Sequence, residues 1–500
     1  MILRPGLEDL KIIGLYTGKI IKGIGLLMLI PMATAVAFVE WNAAMDFLIG
    51  IGVCFLFGLS MDLLCATKRD LGWSHGLVVA SFSWLVATVL GAIPHWLSGH
   101  FGSYLDAMFD IMSGYTTTGL YLIQDLDHVS YSLNMWRHVL TFAGGQGIIV
   151  IALTFLFRGT TGAYKMYVGE GKDERLLPNV VQTARAIWTV SLTYCLVGTS
   201  ALWIMGMILG QGPVRGFLHA LWVFMGSWST GGFAPQSYNA VYYHSLAYEI
   251  ICTVIFIAGS FNFALHWAIW TGKRSEIRKN IEIRSFFITV TVCILIVTFG
   301  LMQLGVYPDV IAQFRKMFYQ VASAHTTTGL STIYSRTFVR QWGPLAMLGI
   351  TMAMAIGASA CSTGGGFKGI RVGIIAKSLI QEVRRMIYPE SARVVVKWHH
   401  ITSRVLTESV VRSAMLIVLS YIFIYVIGAL IGVCFGYDFI QALFESVSAG
   451  SNTGLSCGVT TPSMPEVMKI YYVFSMWAGR LEFMSVFALA GFISSMVRGK

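Results

Sequence analysis

Residues 102–120 read GSYLDAMFDIMSGYTTTGL, a short amphipathic stretch, too brief to cross a bilayer, that runs into Thr-Thr-Thr-Gly. The pattern returns as VRGFLHALWVFMGSWSTGGF (214–233), FRKMFYQVASAHTTTGL (314–330) and FIQALFESVSAGSNTGL (439–455). Each copy lies between two long apolar runs, so the repeating unit is span, short helix, polar loop, span. A single Ser/Thr/Gly turn in an outer connection is ordinary. Four of them, each behind a short helix and each between spans, make an internal repeat.

The composition requires a membrane around that repeat. Of 500 residues, 56% are hydrophobic and 12% charged, about half the ~25% of a soluble domain. Apolar runs of roughly 20 residues, the length that crosses hydrocarbon, recur along the chain. Full spans are expected near 19–39, 43–64, 74–97, 134–157, 187–210, 245–271, 284–305, 343–385 (long and interrupted), 411–435 and 468–497. The expected fold is an all-α integral membrane protein: four pseudo-repeated span–pore-helix–span units around one pore, plus two extra N-terminal spans. The boundaries follow as 1–66 for the N-terminal module and 67–158, 159–272, 273–386 and 387–500 for the units.

The formal net charge of +11 is a topology signal. Segments 1–22, 64–74, 158–186, 272–284, 367–412 and 498–500 hold 27 of the 35 Lys and Arg, and they lie on alternate sides of consecutive spans. That shared face is cytoplasmic by the positive-inside rule, and an even number of spans puts both termini there. No nucleic-acid partner is needed to explain the basic balance. The eight cysteines fall mostly in apolar stretches without a CxxC pair and read as small buried hydrophobes. The N-terminus, MILRPGLEDLKIIGLY, carries acids and has no small-residue cleavage site, so no cleavable signal peptide is expected.

The loops have a specific chemistry. Irregular backbone at membrane depth is tolerated only when buried in protein or lining a wet cavity. A short helix entering from outside aims its partly negative C-terminal end at the bilayer centre, which favours a cation. Threonine hydroxyls and freed carbonyls are hard oxygen ligands able to replace a cation's water, and glycine lets the backbone turn without a side-chain clash. Aligned on the Thr-Gly step, the candidate ligating residues are Thr116, Thr117, Thr118 and Gly119; Ser229, Thr230 and Gly231; Thr326, Thr327, Thr328 and Gly329; and Asn452, Thr453 and Gly454. Loop two departs from the strict pattern, and loop four has Asn452 where loops one and three have threonine.

Two features break the symmetry. Within 343–385 the stretch Gly357–Gly366, which includes Ser362, Thr363, Gly364 and Gly365, consists of Gly, Ser, Ala, Cys and Thr. Glycines cost a helix about 1 kcal/mol each against Ala, so this segment should unwind beside the pore, with Ser362 and Thr363 bonding the freed backbone. A small-residue helix-packing face is the other reading. A phosphate loop is excluded, since no G-x-x-x-x-G-K-[ST] occurs. The second feature is Arg480, inside the last span. An intramembrane arginine costs at least about 2.5–3.5 kcal/mol on insertion scales, so it is either functional or ion-paired with Glu445 or another acid. Glu482, two residues on, is expected to point elsewhere on the helix.

Other polar residues are less decisive. Asp106, Asp110 and Glu445 either concentrate cations or brace the short helices. His325 either tunes the third loop or packs. His399 and His400 make a poor metal pair, since adjacent residues on a helix face different ways.

These motifs resemble the Trk/Ktr/HKT superfamily of potassium transporters over nearly the whole chain, and its TrkH branch in length and in the extra N-terminal pair. GGQGIIVIAL (144–153), GSFNFALHW (259–267), GASACSTGGGFKGIR (357–371) and AGRLE (478–482) carry the likeness further. The resemblance implies that Gly119, Gly231, Gly329 and Gly454 are filter glycines. Some plant relatives carry serine in unit one and favour sodium, so Gly119 implies potassium preference. It also implies that 357–366 is an intramembrane gating loop and that Arg480 raises an electrostatic barrier below the filter. The expected activity is potassium uptake across a bacterial inner membrane. The implied partners are a second copy of the chain and a cytosolic ring of TrkA-type nucleotide-binding subunits docked on the basic segments. Potassium is the substrate, and no other cofactor and no enzyme activity is expected. The competing reading is a secondary transporter of another solute that binds it at broken helices.

Overall fold

The computed structural model describes residues 5–147, 180–389, 391–392 and 394–499. Helices α1 (Leu7–Leu27) and α2 (Leu29–Ala37) form one apolar span that packs beside α3 (Trp41–Leu64). The span starts at Leu7, well before the expected residue 19. Its first turns carry lysines that a hydropathy reading penalises. Ile12, Ile13, Thr17 and Gly18 are nevertheless buried, and Lys22 forms an ion pair with Asp62 of α3.

Unit one comprises α4 (Trp73–Leu97), α5 (Tyr104–Tyr115) and α6 (Tyr131–Gln146). Unit two comprises α7 (Val180–Ile208), α8 (Pro213–Trp228), α9 (Leu246–Gly259) and α10 (Phe263–Trp270). A short helix, α11 (Glu276–Lys279), leads into unit three: α12 (Ile281–Leu304), α13 (Val310–His325), α14 (Gly343–Ile356) and α15 (Gly369–Ile387). Unit four is α16 (Glu408–Cys434), α17 (Phe439–Gly450), α18 (Glu466–Arg480) and α19 (Met484–Arg498). The end of the expected span 134–157, most of the basic segment 158–186 and the second half of the 144–153 motif lie outside the described residues.

The four short helices begin where their sequences place a cap. The side chains of Ser103, Asp309 and Asp438 accept backbone N–H groups of α5, α13 and α17, and α8 opens on Pro213. Each short helix packs on the first helix of its own unit and on the second helix of the unit before it: α8 on α6, α13 on α9, α17 on α14, and α5 on α18. The last of these contacts closes the circle. Large apolar side chains such as Leu196, Leu416 and Phe423 face outward, as lipid-facing residues do.

Two departures from expectation matter. The spans near 245–271 and 468–497 are not continuous. Helices α9 and α10 meet at 97°, and α18 and α19 at 111°. The interruption expected for unit three alone therefore recurs in units two and four. Fold and composition agree on an all-helical membrane protein, with one exception among the described residues, in the basic segment 367–412. Strands β1 (Lys397–His400) and β2 (Thr402–Val405) pair antiparallel there, with Lys397 opposite Val405 and His400 opposite Thr402. Trp398 and His400 alternate inward on β1, and Trp398 packs with Ile281 and Ile374.

Candidate ion pathway

The four loops share one backbone course. The helices end at Tyr115, Trp228, His325 and Gly450. Two residues later stand Thr117, Thr230, Thr327 and Asn452, all left-handed at φ of 55°, 49°, 53° and 57°. That region is unfavourable for side-chain-bearing residues, at about 1–3 kcal/mol each, so the surrounding contacts must hold it. Two residues further come Gly119, Gly232, Gly329 and Gly454, again with positive φ. The second unit's equivalent glycine is thus Gly232, and Gly231 takes the place of Thr118, Thr328 and Thr453. The Thr-Gly step had set the register of loop two one residue early. With Gly232 in register, that loop follows the same course as the others.

Contacts between the loops run round a ring. A Cβ on Gly119 would lie 2.5 Å from the carbonyl oxygen of Gly231, one on Gly232 2.3 Å from Thr328, one on Gly329 2.0 Å from Thr453, and one on Gly454 1.9 Å from Thr118. Each glycine is therefore required by the backbone of the next loop, and the series closes from unit four to unit one. Hydroxyl protons are largely used inside the loops. Thr116 and Thr326 donate to Met112 and Ala322 carbonyls, while Thr116 meets Thr118, Thr326 meets Thr328, and Ser451 meets Thr453 at 2.7–2.8 Å. What remains is a concentration of oxygen lone pairs, the donor set suited to a hard monovalent cation. A cavity of about 350 Å³ is lined by Gly119, Gly329 and Gly454 together with Tyr238, Tyr334 and Arg336 of the outer connections.

The motif glycines in the second helices have the same origin. A Cβ on Gly144, Gly259 or Gly479 would come within 1.9, 2.3 or 2.0 Å of the last carbonyl of α5, α8 or α17. Only glycine allows the second helix to cross so close to the end of the short one, and each of these three helices ends at or just beyond that crossing, at Gln146, Gly259 and Arg480.

Between α14 and α15 the chain unwinds over residues 357–368 and lies against all four loops. Thr363 accepts from Thr117 at 3.4 Å through its carbonyl and meets the Thr230 hydroxyl at 3.0 Å. The Gly365 amide donates to Thr327 at 2.7 Å, and a Cβ on Gly365 would lie 2.1 Å from the Ser451 carbonyl. Gly357 and Gly366 both have positive φ and touch each other, closing the base of the loop. Ser362 bonds the Ser359 carbonyl and the Gly364 amide, while Thr363 bonds the Trp228 and Gly259 carbonyls. The segment is thus an unwound loop and not a packed small-residue helix.

Arg480 is the last residue of α18 and donates to the Thr363 carbonyl at 2.6 Å and the Gly144 carbonyl at 2.5 Å. It clamps the unwound segment to unit one. Glu445 is not its partner: that carboxylate accepts from Ser456, Cys457 and Thr460 behind loop four. Glu482 is not on a helix face either. It sits in the break with φ of 50° and pairs with Arg371 and, at 3.8 Å, with Lys368. Lys368 also donates to the Gly364 carbonyl. These flanking charges did not stand out in the sequence, where they read as the edge of a basic segment.

The remaining polar residues brace. Asp110 meets Arg137 at 3.2 Å and His95 at 3.1 Å, all fully buried, and Arg137 stacks on Phe233 beside Gly232. Asp106 pairs with Lys469 of unit four at 2.5 Å. His325 bonds Thr289, and His399 lies 2.9 Å from Glu276. Among the described residues no cluster of His, Cys, Asp and Glu is arranged to hold a metal.

Comparison with known proteins agrees with this geometry. The TrkH family, described as cation transport protein, matches residues 43–495. An uncharacterized cation transporter of Methanocaldococcus jannaschii is 32% identical over 486 residues, covering 96% of this chain and 95% of the relative. The Trk system potassium uptake protein TrkH of Halomonas elongata is 27% identical, and TrkG of Escherichia coli 25%, each over 96% of this chain and 98% of the relative. The crystal structure of the potassium transporter TrkH from Vibrio parahaemolyticus has the same fold, with a TM-score of 0.81 at 23% identity over 96% of this chain and 98% of that one. The protein is a multi-pass membrane transporter and not an enzyme: the chain belongs to the TrkH family of cation transport proteins.

Proposed function

We propose that the chain carries potassium inward across the cytoplasmic membrane, with both termini on the cytoplasmic side. The observation that carries this reading is the closed ring of four loops with one backbone course, in which each glycine is packed against the carbonyl of the next loop. Potassium exchanges water for oxygens of Thr116–Gly119, Ser229–Gly232, Thr326–Gly329 and Ser451–Gly454. A negative-inside potential favours entry by about 2.3 kcal/mol per charge per 100 mV. The names of the relatives, potassium uptake proteins, point to the same ion.

The segment 357–368 and Arg480 form the gate. In the arrangement described above the segment hydrogen-bonds three loops and abuts the fourth, and the guanidinium pins it while placing a positive charge beneath the ring. This is the closed state. Opening requires the segment to leave Thr117, Thr230 and Thr327. The basic segments 272–284 and 367–412 offer a docking face for a cytosolic nucleotide-binding ring, and the chain pairs with a second copy of itself. Expression in a bacterium that lacks its own potassium uptake systems tests the reading. Growth at low potassium, with the matching cytosolic partner supplied, is expected; absence of growth despite membrane expression would contradict it.

A further inference from the structure

The cytoplasmic hairpin is wired to the proposed gate through one carboxylate. Glu282 stands in the first turn of α12, is 2% exposed, and its backbone N–H is capped by Asn280 at 2.9 Å. Its Oε1 accepts the Ala360 amide, in the middle of the unwound segment, at 2.6 Å. Its Oε2 lies 3.6 Å from His400 Nδ1, and the same nitrogen is 3.2 Å from Asn280 Oδ1. On the other edge of the ring, His400 Nε2 lies 3.5 Å from Asn262 Nδ2, and Asn262 caps α10 at the break in unit two. His400 thus touches two helix caps and one carboxylate. All three sit beside segments that hold the loop, since Ser359 and Thr363 donate to the Ser260 and Gly259 carbonyls of that same break.

The hairpin cannot shift without moving this ring. Trp398, two residues before His400, is buried with Ile281 of α12 and Ile374 of α15. His399 is tied to Glu276 at 2.9 Å. The hairpin therefore sits on the helix that enters unit three and on the helix that leaves the unwound segment. A hydrogen bond from an amide to a buried carboxylate is charge-assisted, and losing one partner of such a contact is costly.

We propose that Glu282 and His400 are positioning residues that couple the hairpin to the gate. Glu282 holds the Ala360 amide, and with it the closed loop, only while His400 keeps Glu282 and the Asn280 and Asn262 caps in place. Displacement of the hairpin from the cytoplasm then loosens the loop without any change in the four glycine loops. This rests on reading 357–368 as the gate.

Cys361, beside Ala360 and buried, reports loop opening directly. The experiment exposes the full chain, in membrane vesicles with the cytoplasmic face outward, to a membrane-impermeant thiol reagent and counts modification of each cysteine by mass spectrometry. Glu282→Ala is expected to raise the Cys361 rate roughly tenfold, the scale of losing a bond to a charged group. Glu282→Gln, which keeps an acceptor, raises it less. His400→Ala raises it, and the double variant with Glu282→Ala no further than Glu282→Ala alone. An unchanged Cys361 rate in Glu282→Ala overturns the proposal, as does additivity of the two substitutions. So does a rise shared by the buried Cys252, Cys293 and Cys457, which marks general loosening. The readout involves no potassium. A wild-type chain without potassium flux would refute the transport reading while the labelling still decides the coupling.

Discussion

Gly231 and Gly232 are adjacent, yet they differ in what a methyl group would meet. At Gly231 the nearest atoms are side-chain atoms of Thr141, 2.6 Å away, and of Ser229. At Gly232 it is the Thr328 carbonyl, 2.3 Å away on backbone, and φ is 66°. Gly232→Ala is therefore expected to be the more damaging substitution, by at least about 1–3 kcal/mol of backbone strain. Transport and melting temperature of the two purified variants check this. Equal behaviour would return the glycine of unit two to Gly231. Arg480 gives a second prediction at this scale. Arg480→Ala removes the clamp on Thr363 and the positive charge below the ring, so basal cation flux into proteoliposomes should rise; flux at or below wild type would rule out the barrier role.

At the scale of elements, the buried Asp110–Arg137 pair joins α5 to α6 and stacks on the exit of loop two. Arg137→Ala leaves the buried Asp110 carboxylate without its guanidinium, with His95 alone beside it, and should cost up to about 3–5 kcal/mol, seen as a lower melting temperature in detergent. Replacing both residues by leucine should recover part of that loss, and a double variant no better than the single would show that the pair is not coupled. The short helices were legible because in each a helical run too short to span lies between two spans and ends in Thr-Gly. The bends at Ser260–Asn262 and Leu481–Phe483 were not, because one or two polar residues inside a long apolar run do not by themselves end a helix. They arise from tertiary contact: Gly259 and Gly479 bring the helix against a carbonyl, and Asn262 restarts it by capping α10. The hairpin escaped notice for a related reason. His399 and His400 are adjacent, and only the two-residue period around Trp398 marks a strand.

Over the whole molecule, charge placement and repeat order together specify an orientation. The native cysteines report it. Cys434 is exposed at the end of α16 that leads to the fourth short helix, and Cys65 ends α3 at the basic connection 64–74. An impermeant thiol reagent added to intact cells should label Cys434 and spare Cys65 until the membrane is permeabilised; the reverse pattern would invert the topology. Unit count, the identity of the short helices and the unwinding of the glycine-rich segment after Ile356 could be read from residue types and spacing. The register of loop two, the ion pairs of Glu482 and the contacts of Glu282 depend on which segments meet in space, and spacing along the chain does not carry that. The central claim is that the ring of loops selects potassium. Its most direct test is the ratio of potassium to sodium flux through the purified full chain in proteoliposomes, for wild type and for Gly119→Ser. Potassium-favouring flux that falls toward parity in Gly119→Ser is the predicted result; no potassium flux in wild type, or a ratio unmoved by the substitution, would contradict it.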